Sequence, residues 1–152
     1  MDRDGWDLKR VWRKRGKDSF IEISCHRSEP SKMFPDIFMD REGPFRWAVY
    51  AYVYPKHPHF LKFDKEGGMM QEAAGMMPLH CGASFFRAHF DEDFQITSYQ
   101  VGADYHHLHD DRFTNMETPE EAFEVFNDAD RLLEWLDRMT EKTEAVNEEN
   151  TQ

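Results

Sequence analysis

The chain has 152 residues, 39% hydrophobic, 32% charged and 14% aromatic, which is enough for one domain with a core and too rich in aromatic residues for wholesale disorder. No run approaches the roughly 18 apolar residues of a membrane-spanning helix, and Met1-Asp2-Arg3-Asp4-Gly5-Trp6 lacks the apolar core of a secretion signal. The formal net charge, 19 − 30 = −11, argues against general DNA or RNA binding, which release of counterions from phosphates drives on basic surfaces, so neither direct nucleic-acid contact nor a membrane partner is expected.

Residues 1–17 carry 7 bases against 3 acids, and Trp6, Leu8, Val11 and Trp12 recur at roughly helical spacing. A short helix or an arm is expected there. Residues 19–25 alternate as a strand does. Residues 28–46 contain Pro30, Pro35, Gly43 and Pro44 and read as a long loop with room for one turn of helix. Residues 47–54 crowd β-branched and aromatic side chains into the strongest strand, which Pro55 ends. Gly68-Met69-Met70 recurs as Gly75-Met76-Met77. Flexible methionines of this kind either fill irregular gaps in a core or form an adaptable surface. Two further strands, 83–90 and 94–103, flank Asp91-Glu92-Asp93, a hairpin turn without the glycine of the tightest type.

The last element is helical. Thr118 can cap it, Pro119 suits its first position, and Glu120 and Glu121 favour its positive end. Phe123, Phe126, Leu133, Leu136 and Met139, with Ala122, Val125, Ala129 and Leu132, mark one apolar stripe. Asn127-Asp128 is a candidate break, with a second helix starting near Asp128. The apolar face fades from Glu141, so 143–152 read as a disordered acidic tail behind a single domain, 1–142. Strands first and helix last predict an α+β fold: an antiparallel sheet of about four strands with a C-terminal helix packed on one face. Cys25 and Cys81 make no disulfide framework, so a reducing, cytoplasmic compartment is expected.

Residues 104–152 hold 15 acids and 4 bases, which accounts for the whole −11. Glu120, Glu121, Glu124, Asp128, Asp130, Glu134 and Asp137 fall on the polar face of the helix. Such a face either meets a basic protein surface or is simply solvated.

Seven of the eight histidines lie between 57 and 109. Most sit at predicted strand ends, where chain segments distant in sequence converge. Imidazoles and carboxylates there are a normal ligand set for zinc or a related divalent ion. His57, His80, Asp104 and His107 are the candidate metal ligands, with Asp110 as a fifth and Cys81 as a thiolate alternative beside His80. A carboxylate not bound to the ion could instead fix the tautomer of a ligand imidazole. His107-Leu-His109-Asp110-Asp111 begins the HxHxDH run of metallo-β-lactamase-type hydrolases, but Arg112 stands where the last His belongs and the chain is too short for that fold. No glycine-rich phosphate loop and no zinc-deaminase motif occurs.

Three of these segments carry a resemblance. They are Tyr52–Tyr54 with His57-Pro58, then Leu79-His80-Cys81-Gly82-Ala83-Ser84-Phe85, then Gly102-Ala103-Asp104-Tyr105-His106-His107-Leu108-His109-Asp110. Residues 47–110 thereby resemble a family of small, largely uncharacterised proteins of phages, prophages and bacterial genomes. That family has an HP step, an HGG-like segment and a GxDxxHxxD segment; Cys81 stands here for a usual Gly. The resemblance implies a mobile-element origin and a location in the host cell cytoplasm, and it supplies no catalytic residue. Two functions are then expected. One is a non-enzymatic anti-defence inhibitor of the anti-CRISPR kind, with a structural metal, docking on the basic surface of a host protein such as a nucleic-acid-guided nuclease. The other is a metal-dependent hydrolase of a nucleotide or other phosphoester, with Tyr50, Tyr52 and Tyr54 near its pocket.

Overall fold

A computed structural model of the protein describes residues 9–28 and 42–150, without the side chains of residues 147, 149 and 150. Trp6, Leu8 and most of the predicted 28–46 loop lie outside the described residues. Five strands form one antiparallel sheet: β1 (Arg10–Arg15), β2 (Ser19–Arg27), β3 (Phe45–Val53), β4 (Phe85–Phe90) and β5 (Ile96–Asp104). Their order across the sheet is β1-β2-β3-β5-β4. The helices are α1 (Glu72–Gly75), α2 (Asp111–Thr114) and α3 (Phe123–Asn150), with a 3-10 turn at Phe60–Lys62.

The fold class is the expected one, with a fifth strand where a helix or arm was predicted. Arg10, Trp12 and Lys14 pair beside Cys25, Ile23 and Ile21, so they face the core side, while Val11, Arg13 and Arg15 face the other. In so short a segment the spacing of two tryptophans and a valine fits period 2 as well as period 3.6. Ring stacking favours the strand: Trp12 lies 5.6 Å from Trp47 at 21° and meets Phe126 edge-on at 5.3 Å.

One face of the sheet carries the core. Ile21, Ile23, Trp47, Val49, Ala51 and Val53 are buried there, and α3 packs on β2 and β3. Of the predicted stripe, Ala122, Val125, Ala129, Leu132 and Leu136 are fully buried, at a spacing of three and four residues that keeps them on one side of the helix. Phe126, Leu133 and Met139 flank them half-buried, and Phe123, at the start of the helix, is exposed. No break occurs at Asn127-Asp128. Residues that favour turns are tolerated in mid-helix when the apolar positions on either side must stay in register on the sheet. α3 continues to Asn150, past the predicted start of a disordered tail, although residues 141–146 are all exposed. Among the described residues no helix is long and apolar enough to cross a membrane.

The segment between β3 and β4 covers the rest of the core face. Phe63, Ala73, Ala74 and Met77 are buried in the same cluster as Tyr99 and Val101, with the Phe63 ring 4.9 Å from Tyr99. Of the recurring methionines, Met77 is in the core, whereas Met69, Met70 and Met76 are exposed.

The turn into α3 matches the capping expectation. The Thr118 hydroxyl accepts the Glu121 N–H at 3.1 Å, and the Ala122 N–H reaches the Thr118 carbonyl at 2.9 Å. Replacing Thr118 with Ala should cost about 1 kcal/mol, read as a lower urea midpoint at unchanged m-value. An unaltered midpoint would mean the hydroxyl contributes nothing to helix initiation.

Candidate metal site

Two loops meet at one end of the sheet. The first precedes β4. The Gly82 N–H closes a turn on the Leu79 carbonyl at 3.0 Å, and Cys81 and Gly82 both adopt left-handed backbone, φ 58° and 83°. A side chain at positive φ costs energy, and such strain concentrates at functional positions. The second loop leaves β5. Asp104 Oδ1 accepts the His106 N–H at 3.0 Å, the Asp110 N–H reaches the His107 carbonyl at 3.0 Å, and His109 is left-handed at φ 74°.

Asp110 joins the two loops. Its carboxylate, almost fully buried, accepts His80 Nε2–H at 2.9 Å, His107 Nδ1–H at 3.1 Å and the His107 backbone N–H at 2.9 Å. Burial by itself pushes this carboxyl up, but those hydrogen bonds outweigh it and hold Asp110 below the usual carboxylate range. An ionised Asp110 that accepts from one nitrogen of each ring leaves the lone pair of His80 Nδ1 and of His107 Nε2 for a cation. No hydrogen bond reaches either of those atoms among the described residues.

Cys81 completes the group. His80, Cys81 and His107 each offer one ligand atom, and these lie within 4.8 Å of one another, so the cluster could hold a metal ion. The His80 ring is fixed from several sides. Tyr105 stacks on it at 4.3 Å and 10°, and Phe113 meets it edge-on at 5.5 Å. The Tyr105 hydroxyl donates to Asp128 on α3 at 2.5 Å. Burial first, and then that bond, raise the Tyr105 phenol far above its ordinary range, so it stays a donor at any physiological pH. A cavity of about 260 Å³ adjoins His80, lined also by Pro78, Leu79, Asp128 and Arg131.

The five predicted ligands are therefore divided. His80 and His107 come together, with the alternative thiolate Cys81 beside them on the first loop. Asp110 sits behind both imidazoles. Asp104 is adjacent, 3.6 Å from His107 Nδ1, but half exposed and engaged with Ser84 and the His106 N–H. His57 is not part of the cluster, which corrects the sequence reading. It is buried in the core, where Nε2–H donates to the Leu136 carbonyl at 3.0 Å and Nδ1 accepts the His59 N–H at 3.0 Å. With both nitrogens used by the fold, it has no lone pair for a cation. Tyr105 was not singled out from the sequence, because nothing local marks which aromatic ring will stack on a given imidazole.

The acidic residues of the helix and its lead-in are largely paired within the chain. Glu124 binds Arg112, Asp130 binds Lys14, and Asp128 holds Arg131 besides Tyr105. Asp137 accepts the Lys17 N–H, Glu121 sits in the Thr118 turn, and Glu134 lies 3.7 Å from Arg138. Among the described residues Glu120 has no such partner.

No protein-family model matches the chain, and neither a curated protein nor a solved structure matches it.

Proposed function

We propose that the protein is a zinc-binding interaction protein without enzymatic activity, in which the ion fastens the loop before β4 to the loop after β5. The observation that carries this reading is the single buried carboxylate of Asp110 bonded to one nitrogen of both His80 and His107, with Cys81 alongside. A thiolate with two imidazoles favours zinc over magnesium or calcium, which prefer oxygen. Binding would add folding free energy where two irregular loops have little core of their own. The partner that suits the chain is a basic surface of a host protein, such as the nucleic-acid groove of a guided nuclease. The excess of acids in residues 104–152 supports this, as does the resemblance of residues 47–110 to one family of small phage, prophage and bacterial proteins.

A second reading is a phosphoester hydrolase. What favours it is that three side chains leave a fourth coordination position, next to the cavity at His80. Elemental analysis of purified protein should find about one zinc per chain, and a chelator should lower the melting temperature by several degrees. Metal-free protein that melts identically with and without chelator would dismiss both readings. Turnover of a phosphoester by the wild type and not by His107→Ala would replace the first by the second.

A further inference from the structure

The second face of the sheet is covered by no described helix, and a row of aromatic rings stands on it among charged and polar side chains. The register defines two rungs. One runs Arg15, Phe20, Tyr52, Gln100, Arg87 across β1, β2, β3, β5 and β4. The next runs Arg13, Glu22, Tyr50, Gly102, Phe85. Phe20 stacks on Tyr52 at 4.3 Å and 9°, and Tyr52 on His89 at 5.9 Å and 26°. Phe85 meets Tyr50 edge-on at 5.4 Å. The Tyr50 ring lies directly over Gly102, where a Cβ would come within 2.3 Å of it. The result is a half-buried aromatic row bounded at both sheet edges by exposed guanidiniums. Arg15 and Arg87 have no carboxylate partner among the described residues.

We infer that this face binds single-stranded RNA, with bases packed against the aromatic row of Phe20, Tyr52 and Tyr50 and phosphates on Arg15 and Arg87. An aromatic platform flanked by guanidiniums complements a polymer of π-faced bases and anionic links. RNA is preferred to DNA because donors stand among the rings. The hydroxyls of Tyr50, Tyr52 and Tyr54 make no hydrogen bond among the described residues. Such hydroxyls can meet a ribose hydroxyl, whereas Gln100 is buried and uses its oxygen on His89 at 2.8 Å.

The net charge of −11 does not forbid this, because the charge is segregated in space. Most acids of residues 104–152 are on or beside α3, across the sheet; on the aromatic face stand Asp104 and Glu22, and Glu22 is paired with Arg13 and Lys9. A helix with its side chains is about 10 Å thick, so acids on its outer side lie more than one Debye length, about 8 Å at physiological salt, from the aromatic face.

The test is fluorescence anisotropy of zinc-loaded full-length protein with labelled oligo-uridine of ten nucleotides, at several salt concentrations. Micromolar binding at low salt is expected. R15E/R87E changes two exposed side chains and should retain the wild-type circular dichroism. It should bind at least tenfold more weakly, and the slope of log affinity against log salt should fall by about 1.4, roughly 0.7 for each lost phosphate contact. Phe20→Leu with Tyr52→Leu should weaken binding about tenfold or more at unchanged slope. No binding at 50 mM salt, or equal binding by folded R15E/R87E, overturns the proposal. Equal affinity for oligo-thymidine overturns the choice of RNA. Self-association that R15E/R87E abolishes would show that a second copy occupies the face instead.

Discussion

Acidification from pH 6.5 to 5 should destabilise the protein by up to about 3 kcal/mol, each of two buried imidazoles contributing a slope that rises toward about 1.4 kcal/mol per pH unit. His57 and His59 are both buried, and burial lowers the affinity of each ring for a proton. Their hydrogen bonds to the Leu136 and Ala73 carbonyls oppose this shift without cancelling it. In the folded protein His57 Nδ1 is occupied as an acceptor, and His59 Nδ1 is buried with no partner. A proton on either would displace one hydrogen bond or place a bare charge among Phe63, Trp135 and their neighbours. The unfolded chain has no such restriction. Between the unfolded value near 6.5 and the lower folded one, the unfolded state binds more protons. The stability is therefore complete above about pH 6.5 and is lost as pH falls below it. Urea melts at half-unit pH intervals measure the slope. Changing His59 to Gln, which can still donate to the Ala73 carbonyl and does not titrate, should reduce it by up to about 1.4 kcal/mol per pH unit. Wild-type stability that stays level from pH 7 to 5 would contradict the buried, neutral pair.

The second large effect concerns the loops. Asp110→Asn should weaken zinc binding 10- to 100-fold, and His107→Ala should weaken it further by removing a donor. His57→Gln should leave it unchanged, since His57 lies in the core. Competition against a chromophoric chelator measures all three. Asparagine keeps the size of Asp110 but offers one carbonyl oxygen in place of a carboxylate, so it cannot hold both rings as acceptor-only anion. The metal reading fails if Asp110→Asn and His107→Ala compete as well as the wild type, and the assignment of His57 fails if His57→Gln binds as poorly as His107→Ala.

The strands and the final helix were legible because each has one buried side, and burial imprints its period on the residues. Tyr50 and Tyr52 alternate with Val49, Ala51 and Val53, and the spacing from Ala122 to Leu136 is equally regular. β1 was misread because six residues, four of them basic, contain too few apolar positions to distinguish two periods. His57 was misread for a related reason. A histidine beside proline at a strand end looks the same whether the next segment turns it into a core or toward a cation. That choice depends on the Leu136 carbonyl, 79 residues away.

What the amino-acid order alone determined was composition, net charge, the α+β class and the concentration of imidazoles and carboxylates in two loops. Those properties depend on local periodicity and on counting, which need no long-range information. Only the tertiary structure decided that Asp110 reaches His80 across thirty residues and that His57 turns inward. It also decided that the guanidiniums of β1 and β4 bracket one aromatic row while α3 and its acids lie across the sheet. Each of these follows from strand register and the docking of α3, which are fixed by the best mutual burial of apolar surface over the whole chain.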